Sequence, residues 1–310
     1  MRPQKPAGLK PGDKIGVVAP AGAVDEGRLR SGVEAIKRAG FVVELADGVL
    51  ERKGYLAGEP AQRAKALQDF FTRADIAAIF CARGGFGSVQ LLPLLDLEAI
   101  RRHPKIFVGY SDLSIVLNWL RQQCGMVVFH GPMTAMELAR GLEGRSVDFF
   151  WGMLTGRMRR WRVDLKEAIR HGAAEAEMVG GCLSMVVTTL GTPYEIETAG
   201  KILFLEDIGE KPYRIERMLT HLQMAGKLSR LAGLVFGSFT DCEGERERGL
   251  AEIMREHFAA APYPVVTGLA AGHGEENLLL PFGVRMALDA GAPALSLVES
   301  PVAELVEAQE

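Results

Sequence analysis

The chain has 310 residues, of which 48% are hydrophobic and 24% charged, with a net charge of -3 at neutral pH. That length exceeds one core of ordinary size and predicts two domains. The near-neutral balance leaves no electrostatic footprint for nucleic acid or a membrane surface, so neither is expected as a partner.

The chain begins "MRPQKPAGLKPGDKIGVVAPAG". Its first apolar stretch, from Ile15, is short and broken by Pro20 and glycines. Neither a signal peptide nor a membrane-spanning helix is expected. "KIGVVAP" (14–20) reads as a strand. "DEGRLRSGVEAIKRAG" (25–40) is an amphipathic helix with Leu29, Val33 and Ile36 on one face and Gly40 closing it. "FVVELA" (41–46) is a strand, 58–75 a helix and "IAAIFCAR" (76–83) a buried strand. A glycine turn, "GGFG", leads into a short helix. "KIFVGY" (105–110) is a strand, the segment from 111 a helix, and "GMVVFHGP" (125–132) a further strand. Strands alternating with helices imply right-handed crossovers and a parallel sheet. Sites in such sheets form at the carboxyl ends of the strands. "ARGGFG", "GYSD" and "FHGP" all fall there.

The stretch 137–175 is mixed, and 156–175 reads as a linker between an N-terminal domain, 1–155, and a C-terminal domain, 176–310. In the second half "AEMVGGCLSMV", "KILFLEDIG" and "GLVFGSFTDC" are strand-like. Helices at 212–226 and 245–260 intervene, "YPVVTGLAAGH" and "LLLPFGVRMALDA" follow, and the tail from Pro301 is expected to be exposed. This half reads as a β-rich α/β domain. The four cysteines, Cys81, Cys124, Cys182 and Cys242, form no CxxC pair and no cluster with histidine. No metal site is expected, and scattered thiols without an export signal fit the cytosol.

Several residues could carry chemistry, each with a plainer alternative. Ser111, at a strand-to-helix turn, is either an ordinary helix cap or a nucleophile whose hydroxyl the turn exposes near a helix N-terminus. The usual elbow has a second glycine two residues after the serine, and here that position is Leu113. "RGGFG" (83–87) could cradle a phosphate, supply oxyanion or carboxylate contacts, or simply turn; its spacing matches no nucleotide motif. Glu206 is either a satisfied strand-end carboxylate or a catalytic one. Asp207 and Glu210 read as caps for the helix near Pro212. His273, between two glycines, and His130, after a strand, are rival bases. A serine nucleophile needs a base, and the base needs a carboxylate to fix its tautomer. The chain offers Ser111, Glu206 and His273 in that order, which spacing alone cannot turn into a site.

Seven collinear stretches carry a more specific signal: "GDKIGVVAPAG", "ARGGFGSVQLLPLLD", "FVGYSDLS", "FHGPM", "GGCLSMVVTTLGTPYE", "LFLEDIGEKPYRIERMLTHL" and "GHGEENLLLPFG". Together they resemble the L,D-carboxypeptidase family of serine peptidases, which includes murein tetrapeptide carboxypeptidases and microcin C immunity proteins. The resemblance runs from about Lys10 to Asp289. It implies a flavodoxin-like α/β N-terminal domain with a parallel sheet and a smaller β-rich α/β C-terminal domain. The active site would lie between them, in a cytoplasmic homodimer.

By the same resemblance Ser111 is the nucleophile, Glu206 the acid and His273 the base, and His130 becomes a pocket-wall or structural residue. Backbone N–H groups of Gly85 and Asp112 form the oxyanion hole. Arg83, with Gly84, would help hold the terminal carboxylate, a role that suits a guanidinium. The implied reaction removes terminal D-alanine from a murein tetrapeptide without cofactor or metal, the substrate being a muropeptide or small peptide. The alternative within the class is an immunity-type peptidase that cleaves an aminoacyl-nucleotide amide. It would need an aromatic platform, for which Trp151, Trp161 and Phe239 are candidates. An alternative of another class is a peptide-binding protein without turnover.

Overall fold

A computed structural model describes residues 3–244 and 248–303. The chain divides into two units. One comprises residues up to 159 together with 279–281 and the segment from 300; the other comprises 160–278 and 282–299.

The first unit alternates strand and helix: β1 (Lys14–Val18), α1 (Glu26–Arg38), β2 (Val42–Leu45), α2 (Pro60–Thr72), β3 (Ala78–Cys81), α3 (Leu97–Arg101), β4 (Ile106–Gly109), α4 (Ser114–Cys124), β5 (Val128–His130), α5 (Glu137–Arg140) and α6 (Arg145–Leu154). The β1–β5 ladders are all parallel, in the order β5-β4-β3-β1-β2. The strand at Leu280–Phe282, β12 below, adds to the sheet beyond β5. β3 and β4 are buried throughout, as expected for strands covered on both faces. α1 buries Leu29, Val33 and Ile36, the face its spacing predicts, and Asp25 caps its N-terminus by accepting the Arg28 N–H at 2.8 Å.

The second unit holds β6 (Trp161–Asp164), β7 (Glu167–Arg170), β8 (Ala173–Cys182), α7 (Leu183–Thr188), β9 (Ile202–Ile208), α8 (Pro212–Met224), β10 (Gly233–Thr240), α9 (Leu250–His257), β11 (Val265–Thr267), β13 (Arg285–Asp289) and β14 (Ala294–Leu297), with β12 (Leu280–Phe282) between β11 and β13 in the chain. Its eight-stranded sheet runs β6-β14-β13-β8-β9-β10-β11-β7. The central β8–β11 ladders are parallel and the flanking ones antiparallel. One core cluster of this unit packs Leu203, Leu205, Ile215, Leu219, Leu234 and Phe236, all nearly or fully buried.

Four expectations change. Residues 156–175, read as a linker, carry β6 and β7, and β8 begins at Ala173, before the expected boundary at 176. The period-two burial of β6, Trp161 and Val163 in and Arg162 and Asp164 out, marks an edge strand that the basic composition conceals. "AEMVGGCLSMV" is not one strand: β8 stops at Cys182 and α7 follows directly. "LLLPFGVRMALDA" splits between the two sheets, with Leu280 and Pro281 in the first unit. Pro301 and Val302 are buried rather than exposed, because Ala303 bridges to Ala7 and donates its N–H to the Pro6 carbonyl. The start of the predicted helix at 245–260 falls on residues 245–247, outside the described residues; the helix seen is α9.

Candidate active site

The parallel strands of each sheet present their C-termini along one edge, and the candidate residues sit there. In the first unit β4 ends at Gly109 and Tyr110 is extended. Ser111 then turns sharply, with a φ of 64°, and is one of two non-glycine residues with positive φ among the described residues. That left-handed conformation costs a side-chain-bearing residue about 1–2 kcal/mol. A tight 3-10 turn, Ser111–Leu113, leads into α4 at Ser114, and α4 starts without a side-chain cap. An N-cap serine would be extended, so the cap reading of Ser111 does not hold. The turn is a strand-to-helix elbow.

The loop after β3 closes over that elbow. A Cβ added to Gly84 would lie 2.8 Å from Ser111 Cβ and 3.0 Å from its Oγ, so only glycine lets the backbone come this near. The same point is 3.4 Å from the Asp112 backbone N. Gly85 has a φ of 111° and is exposed. Gly84 accepts the Gly22 N–H at 3.0 Å, and the half-buried Arg83 donates from Nη1 to the Ala23 carbonyl at 3.1 Å. The loop, the β1 end and the elbow are thus one hydrogen-bonded assembly.

Two buried charged residues secure it. The Asp112 carboxylate accepts the Ser88 N–H at 2.8 Å, and Ser88 Oγ donates back to the Asp112 carbonyl at 2.8 Å. Burial pushes the Asp112 carboxyl above its ordinary value, against the hydrogen bonds from Ser88 and Gly87 and the charge of Arg63. Arg63, projecting from α2, donates to the carbonyls of Pro20 at 2.6 Å and Gly87 at 3.0 Å and to Gln90 at 2.7 Å. Neither role was visible in the sequence, where Arg63 lies within a polar run and Asp112 drew notice only for its N–H. His130 is fully buried, edge-on to Tyr110 at 5.7 Å, as a structural residue would be.

In the second unit Glu206 lies near the end of β9 and is fully buried, while the His273 side chain is 12% exposed. His273 follows β11 in a loop and reaches Glu206 through Nδ1, 2.7 Å from Oε2. Its backbone N–H donates to the same oxygen at 3.1 Å. A carboxylate can only accept, so in the neutral imidazole Nδ1 carries the proton and Nε2 keeps its lone pair. That is the tautomer a general base requires. Gly272, with a φ of 101°, is what lets the loop lie on the carboxylate: a Cβ there would stand 2.4 Å from Oε2.

Asp207 does not cap α8. Its Oδ2 accepts the Ser184 N–H at 2.8 Å and its Oδ1 the Ile208 N–H at 2.8 Å, so it caps α7 from a neighbouring strand. Glu210 pairs loosely with Arg214, at 3.5 Å. The structure therefore joins Glu206 to His273 in the second unit, and Gly84 to Ser111 and Asp112 in the first.

A serine on a strained elbow and a histidine held by a buried carboxylate are the parts of a serine hydrolase on a mixed α/β fold. Comparison with known proteins narrows the class. The model of the LD-carboxypeptidase N-terminal domain matches residues 15–131, and that of the LD-carboxypeptidase C-terminal domain matches 175–288. The chain is 35% identical to the probable murein peptide carboxypeptidase of Bacillus subtilis over 97% of this chain and 96% of that one. It is 28% identical to the microcin C7 self-immunity protein of Escherichia coli over 94% and 95%. The solved structure of muramoyltetrapeptide carboxypeptidase from Oxalobacter formigenes superposes with a TM-score of 0.83 at 29% identity, covering 91% of this chain and 97% of that one. The chain belongs to the LD-carboxypeptidase family, and it is a serine-type carboxypeptidase.

Proposed function

We propose that the protein removes the terminal D-alanine from murein tetrapeptide, with Ser111, His273 and Glu206 as its triad, the first unit supplying the nucleophile and the second the base and acid. The observation that carries this reading is the Glu206–His273 pair, preset in the tautomer that accepts a proton at Nε2.

Nε2 of His273 takes the Ser111 proton as Oγ bonds to the carbonyl carbon between the L-centre of the third residue and D-alanine. The N–H groups of Gly85 and Asp112 hold the oxyanion. Nε2–H then passes its proton to the amine as the C–N bond breaks, and D-alanine leaves. Water, deprotonated by His273, hydrolyses the ester and restores Ser111. Arg83 and Gly84 hold the substrate carboxylate, the planar guanidinium offering a paired contact. The protein works as a cytoplasmic homodimer on muropeptides. Among the described residues no helix is long and apolar enough to cross a membrane.

Similarity to a microcin self-immunity protein keeps a second substrate in view, an amide between an aminoacyl group and a nucleotide-like moiety. The aromatic residues singled out for a nucleobase do not favour it. Trp151 stacks on Phe41 at 5.1 Å and meets Phe150 edge-on, Trp161 is buried in β6, and Phe239 packs on Phe236.

The test is a comparison of cleavage products by mass spectrometry. The substrates are L-Ala-D-Glu-meso-diaminopimelate-D-Ala, the same peptide ending in L-alanine, and an aminoacyl sulfamoyl adenosine. Loss of alanine from the D-terminated peptide alone is expected. Cleavage of the nucleotide conjugate alone would replace the substrate, and loss of L-alanine at the same rate would remove the stereochemical claim.

A further inference from the structure

We infer that Asn277 is a positioning residue for the base: it holds the loop that seats His273 on Glu206, and it does so as a neutral acceptor. The inference rests on the proposed triad only for its kinetic consequence, since its geometry lies within one loop and the strands beside it.

The loop between β11 and β12 is closed at its base by the Leu278 N–H, which donates to the Ala270 carbonyl at 2.9 Å. Ser238 donates its N–H to the Ala271 carbonyl at 3.0 Å, and Thr240 Oγ1 donates to the His273 carbonyl at 3.0 Å. Asn277 adds the bond that crosses the loop, its Oδ1 accepting the Gly272 N–H at 2.9 Å. Gly272 is the residue that lies against Glu206 Oε2, and the next residue is His273. The Asn277 amide therefore sets the height of the loop over the carboxylate. Two His273 donors must reach one oxygen, so a small lift of Gly272 lengthens both bonds.

The choice of an amide is informative. Asn277 is 3% exposed, and its Nδ2 has no hydrogen-bond partner among the described residues. Aspartate would accept the same N–H but would bury a full charge, which costs more than the unused N–H2 group that asparagine leaves. Aspartate would also add a negative charge on the residue that bonds Gly272, which itself lies against Glu206. Glu206 is the carboxylate that touches His273; Asp207 follows it on β9 and Cys182 pairs with it on β8, with Glu275 exposed and Glu276 half-buried on the loop itself. A neutral acceptor fixes the loop without drawing the imidazole toward its protonated form.

Two variants separate this from a merely structural role. Asn277→Ala removes the acceptor; Asn277→Asp keeps acceptor and volume and adds charge. The substrate-free readout is the downfield proton resonance of the His273 Nδ1–H on Glu206, assigned by its loss in His273→Gln. Asn277→Ala is expected to shift or lose that resonance. It should lower kcat about 10-fold to 100-fold with KM nearly unchanged, as expected for misplacement at a reacting centre. Asn277→Asp is expected to retain the resonance and move the acidic limb of the kcat/KM profile to higher pH. An unmoved resonance with unchanged kcat in Asn277→Ala overturns the inference, as does an unshifted limb in Asn277→Asp. Should Asn277→Ala not fold, the Asn277→Asp limb alone decides. A resonance that responds in a protein that cleaves no tetrapeptide would leave this inference standing and sink the substrate reading instead.

Discussion

Gly84 and Ser111 stand so close that a single methyl group on Gly84 would sit 2.8 Å from the Ser111 Cβ, inside any ordinary contact. Two loops from neighbouring strands are thus pressed together at the nucleophile. Gly84→Ala must push one of them back. We expect kcat to fall at least about 10-fold and stability to drop about 1–3 kcal/mol, the usual range for overpacking. Steady-state kinetics beside thermal unfolding check this, and an alanine variant with wild-type kcat contradicts the close approach.

The strained turn at Ser111 makes a stability prediction independent of activity. Both Ser111→Ala and Ser111→Gly remove the hydroxyl, but only glycine takes a φ of 64° without penalty. Relief of about 1–2 kcal/mol of strain outweighs the roughly 0.5–1 kcal/mol that glycine loses through the flexibility of the unfolded chain. Ser111→Gly should therefore unfold at higher denaturant than Ser111→Ala. The reverse order would mean the elbow stores no strain.

Glu206→Gln keeps volume and removes the charge that selects the His273 tautomer. With a buried amide in its place, kcat should fall by up to about 10,000-fold, the loss seen when the orienting carboxylate of a triad is neutralised. The check is kcat over pH 5 to 9, a span of about the range in which imidazoles titrate. A loss smaller than threefold would argue that Glu206 only supports the strand end.

In the proposed reading Arg83 grasps the substrate carboxylate and stands apart from the bond-making atoms. Lysine there keeps charge and loses the planar fork. Arg83→Lys should raise KM about 10-fold, the worth of one charge-assisted hydrogen bond, with kcat within twofold. A fall in kcat at unchanged KM would assign Arg83 to the transition state instead.

Away from the site, Lys105 at the foot of β4 is 7% exposed, and its ammonium donates to the carbonyls of Arg73 and Ile76. Burial pulls it down from 10.5 to about 8. Between those values the unfolded chain binds more protons than the folded one, so stability rises with pH across that window. Below about 8 both states are charged and the full penalty remains. Relative to Lys105→Met, the wild type should gain stability as pH climbs from 8 to 10.5 and stay level below 8. Denaturant melts of both proteins across that range check the sign.

Much of the first unit could be read from the chain because its strands are continuous apolar runs and its helices keep a regular face, as Leu29, Val33 and Ile36 show. Ser111, Glu206 and His273 stood out because strand ends and glycines frame them. The edge strand β6 was hidden by its outward arginine and aspartate, and β7 by a polar composition that never becomes a run. The supports of the site were less legible still. Arg63 reaches Gly87 across 24 residues and Asp207 reaches Ser184 across 23, and no local pattern announces a partner that distant. Asp207 looked like a cap, and it is one, for a helix that precedes it in the chain.

The central claim is that Ser111 performs the chemistry with His273 as its base, and one comparison tests it most directly. Wild type and Ser111→Ala are each incubated with the D-alanine-terminated tetrapeptide in the presence of EDTA, and free D-alanine is followed by mass spectrometry. The account predicts release by the wild type, unaffected by the chelator, and none by the variant. Release by Ser111→Ala at the wild-type rate, or a wild-type activity that EDTA abolishes, would contradict it.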